Sequence, residues 1–380
     1  MTAQVHEVVS RRDMAGWANL DDFVLGPGSA ADARIVIEGA DWSLYGLDRG
    51  RDLAVFTELP PGTDLADSPF SYATQHRLAR RVATMTLAAF EAVAQGVPLP
   101  GRTILIFSIG RCGSTLLSHA LNAVPGVWCL SEPDAFSTLV MQHYHAQARA
   151  GFPRDQAVRL IRAITRVQFR PPADRSADVF AVKFRSQALF QADLYHEALP
   201  DAVCVFLYRD ALGWANSVYG MMRQYGYPDI ASGEGRTATW GVFTAAAEPR
   251  LLRASIDTGA AEIPMELPLA PAWALNMAEY TRHLRGGVPF LALRYNEFNR
   301  DRLPSVTRIL RHCGLKEGHA EGALAAFEAD SQAGTHVSRE VKTERLSAHR
   351  LARLGDILTR CGDFSDPDLR LADIYSGGQP

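Results

Sequence analysis

Apolar residues along this chain gather in two kinds of run, and the change of kind comes near position 99. Before it, "ARIVIEG" (33–39) and "DLAVFTELPPG" (52–62) are rich in strand-forming residues and flank "ADWSLYGLDRGR". That pattern predicts a small sheet or hairpin closed by Pro60, Pro61 and Gly62. Next comes "YATQHRLARRVATMTLAAFEAVA" (72–94), whose apolar spacing predicts a helix, and "QGVPLPGR" ends it. Residues 1–98 therefore read as an N-terminal module containing β-structure.

From 99 onward, short continuous apolar runs alternate with amphipathic ones. The runs "TILIFSI" (103–109), "GVWCLS" (126–131), "VFAVKF" (179–184), "AVCVFLYR" (202–209) and "PFLALRY" (289–295) predict buried strands. Between them, "STLLSHALN", "RDQAVRLIRAITRVQF", "ALGWANSVYGMMRQY" and "PAWALNMAEYTRHLR" predict helices. Such alternation implies an α/β fold, a three-layer parallel sheet with helices on both faces. Ligands of such sheets bind beyond the carboxyl ends of the strands. The main domain is expected over 99–345, with the weakly patterned stretch 229–270 as an insertion or acceptor lid. A helix in "TERLSAHRLARLGDILTRC" marks a C-terminal tail over 346–380.

Composition narrows the classes without choosing among them. The 380 residues are 47% hydrophobic and 21% charged, with a net charge of −3. A near-neutral chain has no global attraction for nucleic acid or an anionic membrane, so any anion site must be local. No run approaches the roughly 20 apolar residues that span a bilayer. The N-terminus lacks the apolar core of a signal peptide, and a cytoplasmic location is the default expectation. Five scattered cysteines with no CxxC pair suggest neither a zinc site nor a disulfide framework.

One strand leads into unusual chemistry. "TILIFSIGRCGSTLL" (103–117) passes from an apolar run into glycines, hydroxyls and one cation, then into a helix. A strand–Gly turn–helix junction aims backbone N–H groups and the helix's positive end at one point. Ser114 and Thr115 add hydroxyls, and Arg111 adds a planar charged fork suited to phosphate or sulfate oxygens. An isolated Gly-Ser-Thr is equally a plain turn with a capping serine. Two further stretches shift that balance. "VFLYRDALGWANS" places Arg209 at a strand's end and Ser217 two turns into the next helix, while "FAVKFRS" places Lys183 at the end of another strand.

Together these stretches resemble the sulfotransferases that use 3′-phosphoadenosine 5′-phosphosulfate (PAPS), a family whose fold is related to that of P-loop NTPases. "GRCGSTLL" looks like the family's 5′-phosphosulfate loop, which implies donor contacts from Arg111, Cys112, Gly113, Ser114, Thr115 and Leu116. "YRDALGWANS" looks like its 3′-phosphate motif, which implies contacts from Arg209 and Ser217. "PFLALRYNEF" is similar to its late strand. The resemblance covers roughly residues 100–345 and leaves the N-terminal module outside. It implies a PAPS co-substrate, no metal, and an acceptor hydroxyl or amine on a small molecule, sugar, lipid or peptide. Ser338 and Arg339, in "DSQAGTHVSRE", correspond loosely to a late segment that covers the 3′-phosphate.

Two departures matter. Cys112 stands where the loop usually has serine, leaving its backbone N–H as the contact. Where cytosolic members carry Lys-Thr-His, this chain reads Lys183-Phe184-Arg185, with no histidine to act as base. Golgi-type and several bacterial members draw a glutamate from the region that here reads "CLSEPDAF". Glu132 is therefore the expected base, with Asp134 the competitor, while Arg111 and the loop amides stabilise the leaving phosphate and Lys183 assists the transferring sulfuryl group. A P-loop kinase or NTPase is the rival enzyme, but its pattern G-x-x-x-x-G-K-[ST] finds Ser108 at the first glycine and Ser114 at the lysine. A non-catalytic nucleotide-binding module is the other alternative.

Overall fold

The computed structural model describes residues 1–14, 16–39, 41–144, 152–232, 257, 259–328 and 343–374. The chain opens with strands β1 (Thr2–Arg11) and β2 (Phe23–Asp32), one turn of helix α1 (Ile35–Glu38), then β3 (Trp42–Asp48) and β4 (Leu53–Glu58). Helix α2 (Ser71–Leu78), strand β5 (Arg81–Thr86) and helix α3 (Leu87–Ala94) follow. The five strands form one antiparallel sheet in the order β2-β1-β5-β4-β3.

Each of the five apolar runs after 99 forms the expected strand. They are β6 (Arg102–Ser108), β7 (Val127–Ser131), β8 (Val179–Lys183), β9 (Val203–Tyr208) and, after the short pair β10 (Ile230–Ser232) and β11 (Glu262–Pro264), β12 (Phe290–Arg294). Apart from β10 and β11, they make a parallel sheet in the order β12-β9-β6-β8-β7. Its flanking helices begin with α4 (Ser114–Asn122), α5 (Asp134–Tyr144), α6 (Arg154–Gln168), α7 (Ala192–Ala198) and α8 (Ala211–Gln224). They continue with α9 (Leu269–Arg285), α10 (Tyr295–Arg300), α11 (Arg302–His312), α12 (Ala320–Leu324) and α13 (Ala348–Leu358). The central strand β6 is buried from Thr103 to Ser108 and β7 throughout, which is why both read as unbroken apolar runs. Because the strands are parallel, the carboxyl ends of β6, β7, β8 and β9 lie along one edge. Chain order reverses on either side of β6, so that edge carries the crevice such sheets use for ligands.

Three N-terminal expectations need correction. "ARIVIEG" is not a strand but the helical turn α1, capped by Gly39 N–H on Ile35 O at 3.1 Å. Strands β2 and β3 are opposite edges of the sheet, so this connection must cross it, and one turn burying Val36 suits the crossing. The hairpin is β3–β4, turning at Arg49–Asp52; Pro60, Pro61 and Gly62 follow it instead of closing it. The single helix expected over 72–94 is interrupted by β5. "RVATMT" pairs with β1 on one side and β4 on the other, and that pairing overrides the helical spacing. Of the stretch 229–270, residues 233–256 and 258 lie outside the described residues. Among the described residues, no helix is long and apolar enough to cross a membrane.

The antiparallel sheet and the parallel sheet share one continuous apolar core. Their polar ties are specific. Leu47 N–H donates to Thr138 Oγ1 on α5 at 3.0 Å, and Arg170 donates to Val36 O and Gly39 O at 2.8 and 3.0 Å. The most deeply set tie is Asp134, fully buried at the start of α5. It accepts from Ala18 N–H at 2.9 Å and from Arg185 Nη2 at 2.7 Å. Removing one member of a buried ion pair leaves the other charge uncompensated and costs about 3–5 kcal/mol. Asp134→Ala should therefore lower the unfolding free energy by an amount in that range, read as a fall in the urea midpoint. An unchanged midpoint would show that the two sheets are held together without this pair.

Candidate functional site

Strand β6 ends at Ser108, and the chain then takes left-handed conformations at Gly110 (φ 72°), Arg111 (φ 53°) and Gly113 (φ 82°) before α4 begins. A left-handed curl ahead of a helix is the kind of turn whose free amides can hold phosphate and sulfate groups. Ser108 Oγ lies 3.2 Å from Ser114 Oγ and closes the base of the turn. A Cβ at Gly113 would stand 3.0 Å from the Tyr295 ring, so both the backbone angle and the neighbouring ring demand glycine there. Thr115 and Leu116 are buried in the first turn of α4.

The Cys112 side chain lies at the base of the turn, beside Ser108 and Ile109. It is fully buried, with Sγ donating to Leu207 O at 3.3 Å, and burial pushes its thiol up to about 11. A thiol in the serine position is thus spent on the protein's own groups, leaving the backbone N–H as its contact for a ligand.

The second motif meets the first directly. Arg111 Nε donates to Ser217 Oγ on α8 at 3.2 Å. Burial, reinforced by nearby Arg209, pulls the Arg111 guanidinium below its ordinary value, so an anion beside it would be strongly favoured. Arg209 follows β9 and lies 4.8 Å from the Tyr295 ring centroid. Its Nε has no hydrogen-bond partner among the described residues and is 3.8 Å from Asp210 Oδ2. Asp210 is otherwise engaged: Oδ1 caps α8 by accepting from Gly213 N–H at 2.6 Å, and Oδ2 accepts from Asn296 Nδ2 at 2.9 Å.

On the other side of β6, the end of β8 meets the end of β7. Lys183, buried, pairs with Glu132 Oε1, and Arg185 Nε lies 3.8 Å from Glu132 Oε2. The Glu132 backbone adopts φ 52° and its N–H donates to Lys183 O at 2.7 Å. Only three non-glycine residues among those described have positive φ, and Arg111 and Glu132 are two of them. Such conformations cost about 1–3 kcal/mol each and gather at functional sites. Asp134 differs in kind from Glu132. Both its oxygens are turned to Arg185 or Ala18 inside the core, and burial pushes its carboxyl up to about 6 against the opposing Arg185 cation.

The structure thus gathers Arg111, Gly113, Ser114, Arg209 and Ser217 on one side of the crevice and Lys183 and Glu132 on the other. Ser338 and Arg339 lie outside the described residues. Sequence reading missed Tyr295, which lies against Gly113 and Arg209, and the rings of Phe70, Tyr72 and Trp17. Phe70 lies 5.7 Å from Lys183 Nζ. Tyr72 and Trp17 lie against Arg185. Tyr295 stood in plain view as the last residue of a predicted strand, but the N-terminal aromatics carry no motif that ties them to residues a hundred positions away.

Gly113→Ala should lose about 1–3 kcal/mol of stability from backbone strain alone, with an added loss from the Tyr295 ring. Adding Tyr295→Ala removes the ring contact and should restore only that second part. Thermal unfolding of the single and double variants reads the two contributions; full recovery in the double variant would show that φ at position 113 carries no cost.

No family model and no curated protein matches this chain. Solved structures do. Sulfotransferase STF1 from Mycobacterium tuberculosis H37Rv is 16% identical with a TM-score of 0.40, over 71% of this chain and 78% of that one. Sulfotransferase STF9 from Mycobacterium avium is 12% identical with a TM-score of 0.38, over 70% and 77%. Mouse sulfotransferase SULT7A1, complexed with PAP, is 11% identical with a TM-score of 0.38, over 71% and 88%. These are proteins the chain is similar to, at a level that leaves its function to be argued from its own residues.

Proposed function

We propose that this chain is a PAPS-dependent sulfotransferase in which Glu132 is the general base. The observation that carries the reading is the Arg111 Nε–Ser217 Oγ contact of 3.2 Å. It joins the glycine turn after β6 to α8, so the two motifs that resemble 5′-phosphosulfate and 3′-phosphate sites share one anion-binding crevice. The turn amides and Arg111 would hold the phosphosulfate, and Arg209 with Ser217 the 3′-phosphate. The acceptor's hydroxyl or amine would approach from the side of Glu132.

In the transfer, the acceptor's oxygen or nitrogen attacks sulfur in line with the bridging oxygen. The new bond to sulfur forms as the sulfur–oxygen bond to the 5′-phosphate breaks, and the electron pair stays on that phosphate. The acceptor's proton passes to the Glu132 carboxylate. Positive charge from Lys183, Arg111 and the turn amides meets the charge developing on the leaving phosphate. The products are the sulfated acceptor and adenosine 3′,5′-bisphosphate. Lys183 is paired with Glu132, so its ammonium would stand beside the base as the sulfuryl group transfers.

The phosphotransferase alternative fares worse on the same residues. Ser114 stands where its lysine belongs, and both oxygens of Asp210, the carboxylate best placed to hold magnesium, already have donors. The acceptor's class stays open among small molecules, sugars, lipids and peptides. A transfer screen with sulfur-labelled PAPS against representatives of each class, with ATP as the control donor, tests the proposal. Label transfer from PAPS supports it, whereas phosphoryl transfer from ATP alone overturns it.

Adenosine 3′,5′-bisphosphate should bind in the presence of EDTA, and Arg209→Ala should weaken it more than it weakens adenosine 5′-phosphate. A charge-assisted phosphate contact is worth about 1.5–3 kcal/mol, or roughly a tenfold to hundredfold loss by calorimetric titration. Equal losses for both ligands would place Arg209 outside the 3′-phosphate site. Glu132→Gln keeps the side chain's shape but cannot take a proton, so turnover should fall by about 10²–10⁴-fold. Bisphosphate affinity should be retained, because the carboxylate faces the acceptor. Full turnover in this variant would remove Glu132 from the mechanism.

A further inference from the structure

The N-terminal module lies outside the motifs that suggest sulfuryl transfer, yet its β1–β2 connection and α2 reach the cation beside the carboxylate assigned as base. The route runs through Arg185. Positions 183 and 185 flank Phe184, which turns into the core against Phe107 and Phe136. Alternation along an extended chain therefore puts Lys183 and Arg185 on the same side. One cation approaches each oxygen of Glu132, Lys183 at Oε1 and Arg185 Nε at Oε2, 3.8 Å away.

Arg185 in turn is held mainly from the N-terminal side. Three consecutive residues touch either it or its counter-ion. Gly16 O accepts from Arg185 Nη1 at 3.1 Å, the Trp17 ring centroid lies 4.3 Å from its guanidinium carbon, and Ala18 N–H donates to Asp134 Oδ2. Tyr72, on α2, brings a second ring to 3.9 Å. Asp134 completes the enclosure, with Oδ1 2.6 Å from Arg185 Nε and Oδ2 2.7 Å from Nη2. A guanidinium is planar, so rings on its faces and a carboxylate on its edge fix its orientation as well as its position.

We infer that Arg185 is a positioning residue for the Glu132 carboxylate and that residues 16–18 with Tyr72 form the clasp that holds it there. The N-terminal module thereby completes the active site. The inference rests on the reading of Glu132 as base. Its chemistry is geometric: displacement of a catalytic group by about 1 Å can cost on the order of a hundredfold in rate, and Lys183 pairs with Oε1 while Arg185 is the cation facing Oε2.

The test is a double-mutant cycle between Trp17→Ala and Glu132→Gln. Turnover is read as labelled sulfate leaving PAPS, with water and 2-naphthol as probe acceptors. Bisphosphate affinity and melting temperature are measured on every variant. Trp17→Ala alone should lower turnover about tenfold to hundredfold with bisphosphate affinity unchanged, and Trp17→Phe, which keeps a ring, should recover most of the loss. In the Glu132→Gln background, Trp17→Ala should add nothing, because the group it positions no longer takes a proton. If Trp17→Ala does not fold, Tyr72→Leu removes the other ring and enters the same cycle. A loss that multiplies with that of Glu132→Gln, or a folded Trp17→Ala protein with full turnover, overturns the clasp and leaves the base assignment standing. Full turnover in Glu132→Gln overturns the base assignment itself, and the inference with it.

Discussion

Four charges set where everything else in this structure must lie. Lys183, Arg185, Glu132 and Asp134 meet at the carboxyl edge of the parallel sheet, under cover of the N-terminal residues. Charges removed from water are tolerable only when paired and hydrogen-bonded. Asp134 needs the Ala18 N–H as well as Arg185, and Arg185 needs Gly16 O as well as Asp134. Those requirements dock the chain around residues 16–18 against the start of α5. The junction between the two sheets and the margin of the proposed active site are therefore one set of contacts.

Backbone strain marks the same edge. Arg111 follows β6 and Glu132 follows β7, and both hold the left-handed conformation that favours glycine. The surrounding packing supports each: Arg111 through Ser217, and Glu132 through its N–H on Lys183 O and its side chain on Lys183. In the proposed function, a turn held this way would present its amides to the anion without rearrangement. That is the condition under which preorganised donors lower a barrier. The same logic explains Cys112. Its side chain is committed to the core beside Leu207, so the turn loses nothing by having sulfur where a hydroxyl is usual.

The pairing of Lys183 with Glu132 gives the proposed mechanism its internal economy. An ammonium on the carboxylate and near the turn answers two demands in sequence, screening the base beforehand and meeting the departing phosphate's charge during transfer. Arg185 cannot share that second task, because Asp134, Gly16 O and two rings already enclose it. Two cations two residues apart in sequence are thus separated in role by what packs around them.

Much of the main sheet was legible without coordinates. Its five strands and the helices beginning at Ser114, Arg154 and Ala211 follow from local period and apolar content, which are properties of a few consecutive residues. The glycine turn and the Arg209–Ser217 spacing were legible for the same reason. What failed was what depends on distant partners. β5 reads as helix until β1 and β4 pair with it, and α1 reads as strand until the chain must cross from one sheet edge to the other. The difference in burial between Glu132 and Asp134 was not legible either, since two carboxylates two residues apart look alike in sequence. Only the fold could turn one toward the crevice and bury the other against Ala18, 116 positions away. Local pattern determines which segments become strands and helices; burial and charge pairing across the assembled molecule decide which side chains are left free to do chemistry.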